Sequence, residues 1–386
     1  SLYVHIPWCV RKCPYCDFNS HELRGAIPEQ AYVDALIADL EQDLPRVWGR
    51  TVETVFIGGG TPSLFSPAAI SCLLSEVRAR LPLKPAAEIT LEANPGTVDR
   101  ERFRGFREAG INRLSIGIQS FDRSLLQRIG RIHDDREALG AVRAAQQTGF
   151  DSINLDLMFG LPGQTLDQAL EDLHTALDLG PAHISWYELT IEPNTWFHRH
   201  PPERPSDELL WDMQEQGRRI LTAGGYTRYE VSAYSRGQNR CRHNLNYWRF
   251  GDYIGIGAGA HAKITDAGQQ RVTRITKTRH PRAYLEQAAD KRCIASENSL
   301  DANDVTLEFA LNALRLDRGF SAEEFSMATG LPFSATAKPV NAALERGLLI
   351  NNNGSIRTTA RGQRYLNEVL QYWLTDTQAH ARAGQP

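Results

Sequence analysis

Apolar and polar residues alternate along the first half of the chain in a pattern that predicts short buried strands, each followed by an amphipathic helix. The runs typical of buried strands are Leu2–Ile6, Thr54–Ile57, Glu88–Ala93, Arg113–Gln119, Ser152–Met158 and His183–Leu189. Between and after them lie stretches with one apolar face, which predict helices over Ala31–Leu44, Ile70–Leu81, Arg100–Ala109, Ser124–Ile129, Arg136–Thr148, Leu166–Leu179 and Asp207–Ala223.

A regular succession of strands and helices favours a parallel sheet with right-handed crossovers. Six strand–helix units are too few for the closed eight-fold barrel. The pattern therefore predicts an α/β fold, an open or partial (β/α)6 barrel. Functional residues are expected at the C-terminal ends of its strands, because ligands bind there in barrels of this type.

The second half of the chain has a different pattern. A segment rich in aromatic residues and glycine begins at Tyr226, and a helix is predicted over Pro281–Ala289. Further on, Leu348–Asn351 and Ser355–Thr358 flank a tight-turn sequence, which indicates a β-hairpin among short helices. We expect an α+β winged-helix-like domain there. The predicted division is a barrel (1–225), a connecting segment (226–300), the winged-helix-like domain (301–374) and a frayed tail (375–386).

Composition and charge exclude several classes of protein. The formal net charge of −3 gives no electrostatic reason to expect nucleic acid as the main partner. The C-terminal domain is itself not basic, so it is interpreted as a protein contact or a lid and not as a DNA-binding module. No stretch approaches the roughly 20 apolar residues of a membrane span, and no signal peptide is visible. We expect no transmembrane segment and a cytoplasmic location.

Three cysteines follow the first predicted strand at C-x3-C-x2-C spacing, namely Cys9, Cys13 and Cys16. Three thiolates are one fewer than a structural zinc site or a [4Fe–4S] cluster normally takes. A cluster held by three cysteines leaves one iron free for a ligand that is not protein, and we favour this interpretation. A zinc site completed by a distant ligand, or two structural thiols with a spare, are the alternatives.

Polar residues also collect at the predicted C-terminal ends of other strands. A glycine run, Gly58–Gly60, follows the second strand, and Glu92, Gln119 and Asp156 end later ones. Because these strand ends meet at one mouth of the barrel, the residues are expected to converge on a ligand. Each residue alone is equally compatible with a helix cap or a loop hydrogen bond.

The sequence resembles the radical-SAM proteins, whose mark is C-x3-C-x2-C with an aromatic residue, here Tyr15, before the third cysteine. The motifs YVHIPWC, GGGTPS, LEANPG, RLSIGIQSF, GRIH and LDLMFGLPGQT resemble the coproporphyrinogen dehydrogenase (HemN-like) branch over nearly the whole chain. The resemblance implies a partial barrel, a [4Fe–4S] cluster and S-adenosylmethionine (SAM), whose amine and carboxylate bind the open iron.

Further site residues are implied only by this resemblance. Besides Tyr15, the residues matching the SAM contacts of the family are Tyr3, Gly59, Gly60, Thr61, Glu92, Gln119, Arg131 and Asp156. Glycine suits close backbone approach to a ligand, and an arginine fork suits the SAM carboxylate. Alternatives stay open, since Arg131 would also serve as a helix cap and Glu92 as half of a buried pair.

Two departures separate the chain from enzymes that oxidise coproporphyrinogen III. Their motif continues to a further cysteine where this chain has Phe18. They also carry a long stretch before the cluster, whereas the sequence here begins two residues before Tyr3; truncation would explain this second difference but not the first. A third feature points the same way. His243, Asn244, Tyr247 and Trp248 form H-N-x-x-Y-W, which resembles the signature of HemW-type heme chaperones.

The H-N-x-x-Y-W motif implies heme binding, since histidine ligates heme iron and aromatic rings pack on a flat macrocycle. Cys241 and His261 are weaker candidate ligands. The alternative is a structural motif in which His243 bonds to backbone and Trp248 fills core.

The first functional hypothesis is therefore a heme chaperone with heme, an unidentified heme-acceptor protein and a possible homodimer as its partners. Oxygen-independent coproporphyrinogen III dehydrogenase is the main alternative, and heme degradation by radical methylation is less favoured. The sequence alone does not decide whether the chain is an enzyme.

Overall fold

A computed structural model describes residues 1–290 and 292–374. The strands, numbered β1 to β17 in chain order, are Leu2–Ile6, Trp8–Cys9, His21–Glu22, Val52–Gly59, Leu83–Ala93, Arg113–Gln119, Ser152–Phe159, His183–Glu188, Thr227–Glu230, Ala233–Ser235, Ile254–Ile256, His261–Asp266, Arg271–Lys277, Ile294–Ser299, Phe320–Ser321, Leu349–Asn352 and Ser355–Thr358. All six strands predicted for the barrel are present, some of them longer than predicted.

The helices, numbered α1 to α15 in the same way, are Glu29–Asp43, Pro67–Arg80, Arg100–Ala109, Arg123–Arg128, Asp135–Thr148, Leu166–Leu179, Trp196–Arg199, Asp207–Ala223, Arg242–Trp248, Pro281–Ala288, Ala302–Ala313, Ala322–Thr329, Ser334–Glu345, Ala360–Arg364 and Leu366–Gln371. Short 3₁₀ turns occur at Leu44–Arg46, Pro62–Leu64 and Pro95–Thr97. Each helix predicted for the barrel is confirmed within a few residues.

One nine-stranded open sheet forms the barrel wall. Its order is β11-β1-β4-β5-β6-β7-β8-β10-β9. The strands from β11 to β8 are mutually parallel, whereas at the far edge β10 pairs antiparallel with β8 and β9 pairs antiparallel with β10. The α/β partial barrel is therefore confirmed, with its six central strands in sequence order.

Local sequence explains where the barrel elements begin and end. Along β1, Leu2, Val4 and Ile6 are fully buried because these alternate residues point to one face of the sheet, which packs in the main hydrophobic core. α3 shows the usual helix ends: the Asp99 side chain accepts from the amide of Arg102, and Gly110 ends the helix with φ +105°. The helix positions are thus set by residues visible in the sequence.

The connecting segment contributes to the barrel as well as to a second, three-stranded sheet of order β12-β13-β14. Buried Lys277 on β13 donates to Asp39 at 2.5 Å and Asp43 at 2.8 Å, both on α1. This internal ion cluster fixes the small sheet against the barrel. The proposed boundary at residue 225 stays a prediction, although β9, β10 and β11 beyond it belong to the barrel sheet.

The C-terminal part has its own core and the predicted α+β composition. Helices α11 to α13 surround the sheet β15-β17-β16, whose hairpin is the one expected from the sequence. Phe309, Phe320 and Phe325 pack edge-to-face in this core at centroid distances of 4.9 and 5.0 Å. The predicted frayed tail, 375–386, lies outside the described residues.

Candidate functional site

The three cysteines lie together on the loop that follows β1. Cys9, Cys13 and Cys16 line one cavity of about 460 Å³ at the C-terminal mouth of the barrel. Lys12 holds the loop closed, since its ammonium donates to the carbonyl oxygens of Phe18 at 3.0 Å and of Ser20 at 3.2 Å. Burial raises the pKa of the Cys9 and Cys16 thiols, so a nearby cation is needed to stabilise their thiolates.

The glycine run at the end of β4 packs directly under the cysteine loop. The amide of Gly60 donates to Ile6 O at 2.7 Å, and the amide of Thr61 donates to Trp8 O at 2.8 Å. The Thr61 hydroxyl donates to Cys9 Sγ at 3.4 Å. A Cβ on Gly60 would lie 2.6 Å from Trp8 O and 3.1 Å from Cys9 Sγ, so this position requires glycine.

Two carboxyl groups face the same cavity from β5 and β7. Glu92 Oε2 accepts from the amide of Gly59 at 3.0 Å, and Asp156 accepts from Ser115 at 2.8 Å and from Asn154 at 2.9 Å. Desolvation, with the Asp156 charge second, raises the pKa of Glu92 to about 8; desolvation also raises the pKa of Asp156. At neutral pH Glu92 is therefore mostly protonated, which lets its carboxyl both donate and accept hydrogen bonds.

A cation and an amide complete the cavity wall. Arg131 donates to Gly117 O at 2.6 Å and to Cys13 Sγ at 3.8 Å, while its Nε is buried with no partner among the described residues. Gln119, with φ +69°, accepts from the Tyr187 hydroxyl at 2.8 Å. Arg131 therefore faces the thiols instead of capping a helix, which removes that alternative.

Nearly all the residues implied for SAM line this one cavity. They are Tyr15, Gly59, Gly60, Thr61, Glu92, Gln119, Arg131 and Asp156. Tyr3 is the exception: it lies in a neighbouring cavity, where its hydroxyl is 2.9 Å from His5 Nδ1. Tyr3 is therefore placed beside the cluster cavity and not in its wall.

The neighbouring cavity, of about 500 Å³, occupies the barrel interior. Phe18 and Asp17 line both cavities, and Phe18 is 56% exposed. Sequence reasoning missed the polar residues Ser115, Asn154 and Ser185 inside it. They occupy alternate positions of β6, β7 and β8 together with Asp156, so the two-residue period of inward side chains would have identified them.

The H-N-x-x-Y-W motif forms α9, which closes the barrel floor. His243 is 1% exposed; its Nδ1 is 2.8 Å from the Thr54 hydroxyl and its Nε2 is 3.0 Å from the Tyr247 hydroxyl. Burial lowers the pKa of His243 to about 3, so the ring is neutral. His243, Asn244 and Tyr247 line the interior cavity, whereas Trp248 packs under the Arg315 guanidinium at 4.4 Å.

Side chains thus engage both ring nitrogens of His243, whereas the structural alternative predicts a bond to backbone. Heme ligation by His243 stays a prediction, and it requires the Tyr247 contact to open. Cys241 is a buried N-cap whose thiol lies 3.7 Å from Glu88. His261 is exposed at the rim of the interior cavity.

The described residues also show how possible metal ligands are arranged and whether any helix has the character of a membrane span. Over residues 1–290 and 292–374, no group of three or more histidine, cysteine or acidic side chains is arranged to hold a single metal ion. A cubic cluster binds each thiolate at a different iron, so its ligands need not converge on one point. Within the same ranges, no helix has the length and apolar character needed to cross a bilayer.

Comparison with known proteins gives consistent results. Residues 3–176 match the Radical SAM superfamily, and residues 300–365 match the HemN C-terminal domain. The heme chaperone HemW of Escherichia coli (strain K12) is 50% identical over 376 residues, covering 97% of this chain and 98% of the relative. Radical S-adenosyl methionine domain-containing protein 1, mitochondrial, of Bos taurus is 34% identical over 98% of this chain and 88% of its own length.

A solved structure of coproporphyrinogen III oxidase (HemN) from Escherichia coli, described as a radical SAM enzyme, superposes with a TM-score of 0.82. It is 23% identical and covers 97% of this chain and 89% of its own. This likeness confirms the barrel with its additional C-terminal domain.

Proposed function

The chain belongs to the family of HemW heme chaperones within the radical SAM superfamily, and from this premise we propose that it binds heme and delivers it to an acceptor protein. The observation that carries the proposal is identity of 50% and 49% to two proteins named heme chaperone HemW, over 97% of the chain in both cases. The acceptor is a protein partner, and a cytoplasmic location and a homodimer belong to the same proposal.

The cysteine cavity fits the cofactors of the superfamily. Cys9, Cys13 and Cys16 would hold a [4Fe–4S] cluster, with Arg131 supplying the positive charge that stabilises buried thiolates. The cluster supplies electron transfer when bound. The unpartnered Nε of Arg131 and the close backbone approach at Gly60 are features that a ligand beside the cluster would use.

Contacts for SAM are assigned by chemistry. The Arg131 guanidinium would orient the carboxylate, and backbone groups at Gly59 and Gly60 would meet the amine. Glu92, with its raised pKa, and Asp156 would hydrogen-bond the ribose hydroxyls. Tyr3 would act from the neighbouring cavity, by closing the wall behind Glu92 and Gly59, which line both spaces.

Phe18 supports the chaperone over the dehydrogenase. It stands where coproporphyrinogen-oxidising enzymes continue their cysteine motif, and its exposed ring forms the rim shared by the two cavities. An apolar ring at the rim presents a surface on which a flat macrocycle packs. His243, Asn244, Tyr247 and Trp248 are the remaining proposed heme residues, with the first three facing the interior.

Oxygen-independent coproporphyrinogen III dehydrogenase remains the second candidate. The reason is that all the residues implied for SAM binding, apart from Tyr3, line the cysteine cavity. The test is anaerobic incubation of cluster-loaded protein with coproporphyrinogen III, SAM and a one-electron reductant. In parallel, the same sample is mixed with heme and passed through a size-exclusion column. The proposal predicts co-eluting heme and no decarboxylated product; product formation would establish the dehydrogenase, and a heme-free protein peak would refute the chaperone.

A further inference from the structure

One buried arginine inside the barrel has no role in the cluster, SAM or heme contacts described above. Arg113, the first residue of β6, is 3% exposed and lines the interior cavity. Its Nε has no hydrogen-bond partner among the described residues, and no ion pair of Arg113 is found within residues 1–290 and 292–374. A buried charge is costly unless it is paired, so an unpaired guanidinium is an unusual feature of a barrel interior.

The carboxylates around Arg113 are engaged elsewhere. Glu88 accepts from the backbone amides of Arg242 at 3.1 Å and His243 at 3.0 Å, which fixes the N-terminus of α9. Asp156 accepts from Ser115 and Asn154. These two acids act on Arg113 through space without bonding to it. The guanidinium of Arg113 therefore has N–H donors that no described protein group occupies.

The surroundings favour an anion with an organic body. The cavity of about 500 Å³ is within the range of small-molecule sites. Tyr3, Phe56, Tyr247 and Tyr253 line it with aromatic surface, and its His243 is neutral. Arg279 also lines the cavity, but it is exposed, whereas Arg113 is buried. The raised pKa of Glu92 reduces the negative charge on the opposite wall.

We propose that the barrel interior is a second ligand site that takes an organic carboxylate, with Arg113 as the residue that binds it. The planar guanidinium matches a carboxylate through two parallel hydrogen bonds. The aromatic walls then hold the apolar part of the same ligand. A propionate of heme is one source of the carboxylate, and in that form the inference rests on the proposed function. A small free carboxylic acid is the other source.

The test compares the full-length, cluster-loaded chain with its Arg113→Gln variant. Arg104→Gln is the matched control, because Arg104 lies on the outer face of α3 with a side chain 67% exposed. Arg113→Gln breaks no hydrogen bond or ion pair of the described residues, but it removes the positive charge on which Glu88 and Asp156 act through space, so a modest fall in melting temperature is expected. Cluster absorbance checks that the mouth of the barrel is unchanged.

Heme and heme dimethyl ester are titrated into each protein and followed by absorbance, and sodium propionate is titrated in a thermal-shift assay. If heme propionate is the ligand, wild type binds heme about 10- to 100-fold more tightly than the ester, and Arg113→Gln loses that difference. If the source is a free acid, propionate stabilises wild type and Arg104→Gln but not Arg113→Gln, while heme and ester bind equally.

The site is refuted if Arg113→Gln keeps the wild-type response to heme, ester and propionate alike. It is also refuted if Arg113→Lys, which keeps the positive charge but loses the fork, keeps both the wild-type preference for heme over the ester and the wild-type response to propionate. Failure of wild type to bind any heme would count against the proposed function, while the propionate series would still test the Arg113 site.

Discussion

Replacement of Gly60 by alanine tests how closely the glycine run supports the cysteine loop. The added Cβ would lie 2.6 Å from Trp8 O and 3.1 Å from Cys9 Sγ, whereas ordinary contact begins at 3.4 Å. The nearest atom is backbone, and the neighbouring amide of Thr61 bonds to that same Trp8 oxygen at 2.8 Å. The clash can therefore be relieved only by moving the loop that carries Cys9.

Overpacking of this kind costs about 1–3 kcal/mol. We expect Gly60→Ala to lower the melting temperature and to reduce iron incorporation during anaerobic reconstitution, measured by iron analysis and cluster absorbance. Gly140→Ala is the control: Gly140 lies within α5 with nothing within 4 Å of its added Cβ. Alanine there should stabilise the helix by about 1 kcal/mol. Full cluster loading of Gly60→Ala at an unchanged melting temperature would refute the proposed support.

Three other predictions address separate parts of the molecule. Arg131→Lys keeps the charge but loses the fork, so calorimetry of cluster-loaded protein should show SAM binding weakened about tenfold; equal affinity would contradict the assigned contact. Burial lowers the folded-state pKa of His243 to about 3, so the stability that its neutral ring contributes is present above the unfolded pKa of about 6.5 and is lost as pH falls toward 3. In urea unfolding from pH 6.5 to 4, His243→Gln should therefore lose stability less steeply than wild type, by up to about 1.4 kcal/mol per pH unit. Parallel slopes for the two proteins would argue against a neutral buried ring. Lys277→Met leaves Asp39 in the core without a cation partner and Asp43 with only Arg46, 3.7 Å away. It should cost about 3–5 kcal/mol in urea unfolding, against less than about 1 kcal/mol for Lys84→Met in the exposed pair with Glu53. Similar losses for the two variants would show that the buried cluster adds little.

The six central strands of the barrel could be predicted because each is a short apolar run followed by a helix with clear end signals. The cavity residues at their C-terminal ends followed from the same reasoning, since parallel strands end at one edge. Glu92, Gln119 and Asp156 do meet there. The chemistry of these residues came from the resemblance, not from their spacing.

The added strands β9, β10 and β11 could not be predicted from local pattern. Each has only three or four residues, and its pairing depends on barrel edges that are distant in sequence. The placement of Tyr3 in the interior cavity has a similar cause. Side chains alternate along β1, and which of them faces the cysteines depends on how the loop folds back over the strand end.

The surroundings of single residues could not be predicted either. The heme role of His243 stays a prediction from its motif, whereas the contacts of its ring with Thr54 and Tyr247 are not visible in one sequence. In the sequence, Arg113 stands out only as the first residue of a predicted strand. Its significance arises from the cavity beside it and from the engagement of Glu88 with α9.

The central claim is that one chain carries an iron–sulfur cluster at Cys9, Cys13 and Cys16 and heme at a separate place. Its most direct test is a combined analysis of one anaerobically reconstituted, heme-treated sample, with acid-labile sulfide reporting the cluster and pyridine hemochrome reporting heme. The account predicts that heme binds while the cluster content stays constant, and that serine at the three cysteine positions removes the cluster alone. Heme uptake only with loss of the cluster, or no uptake by the cluster-loaded protein, would contradict it.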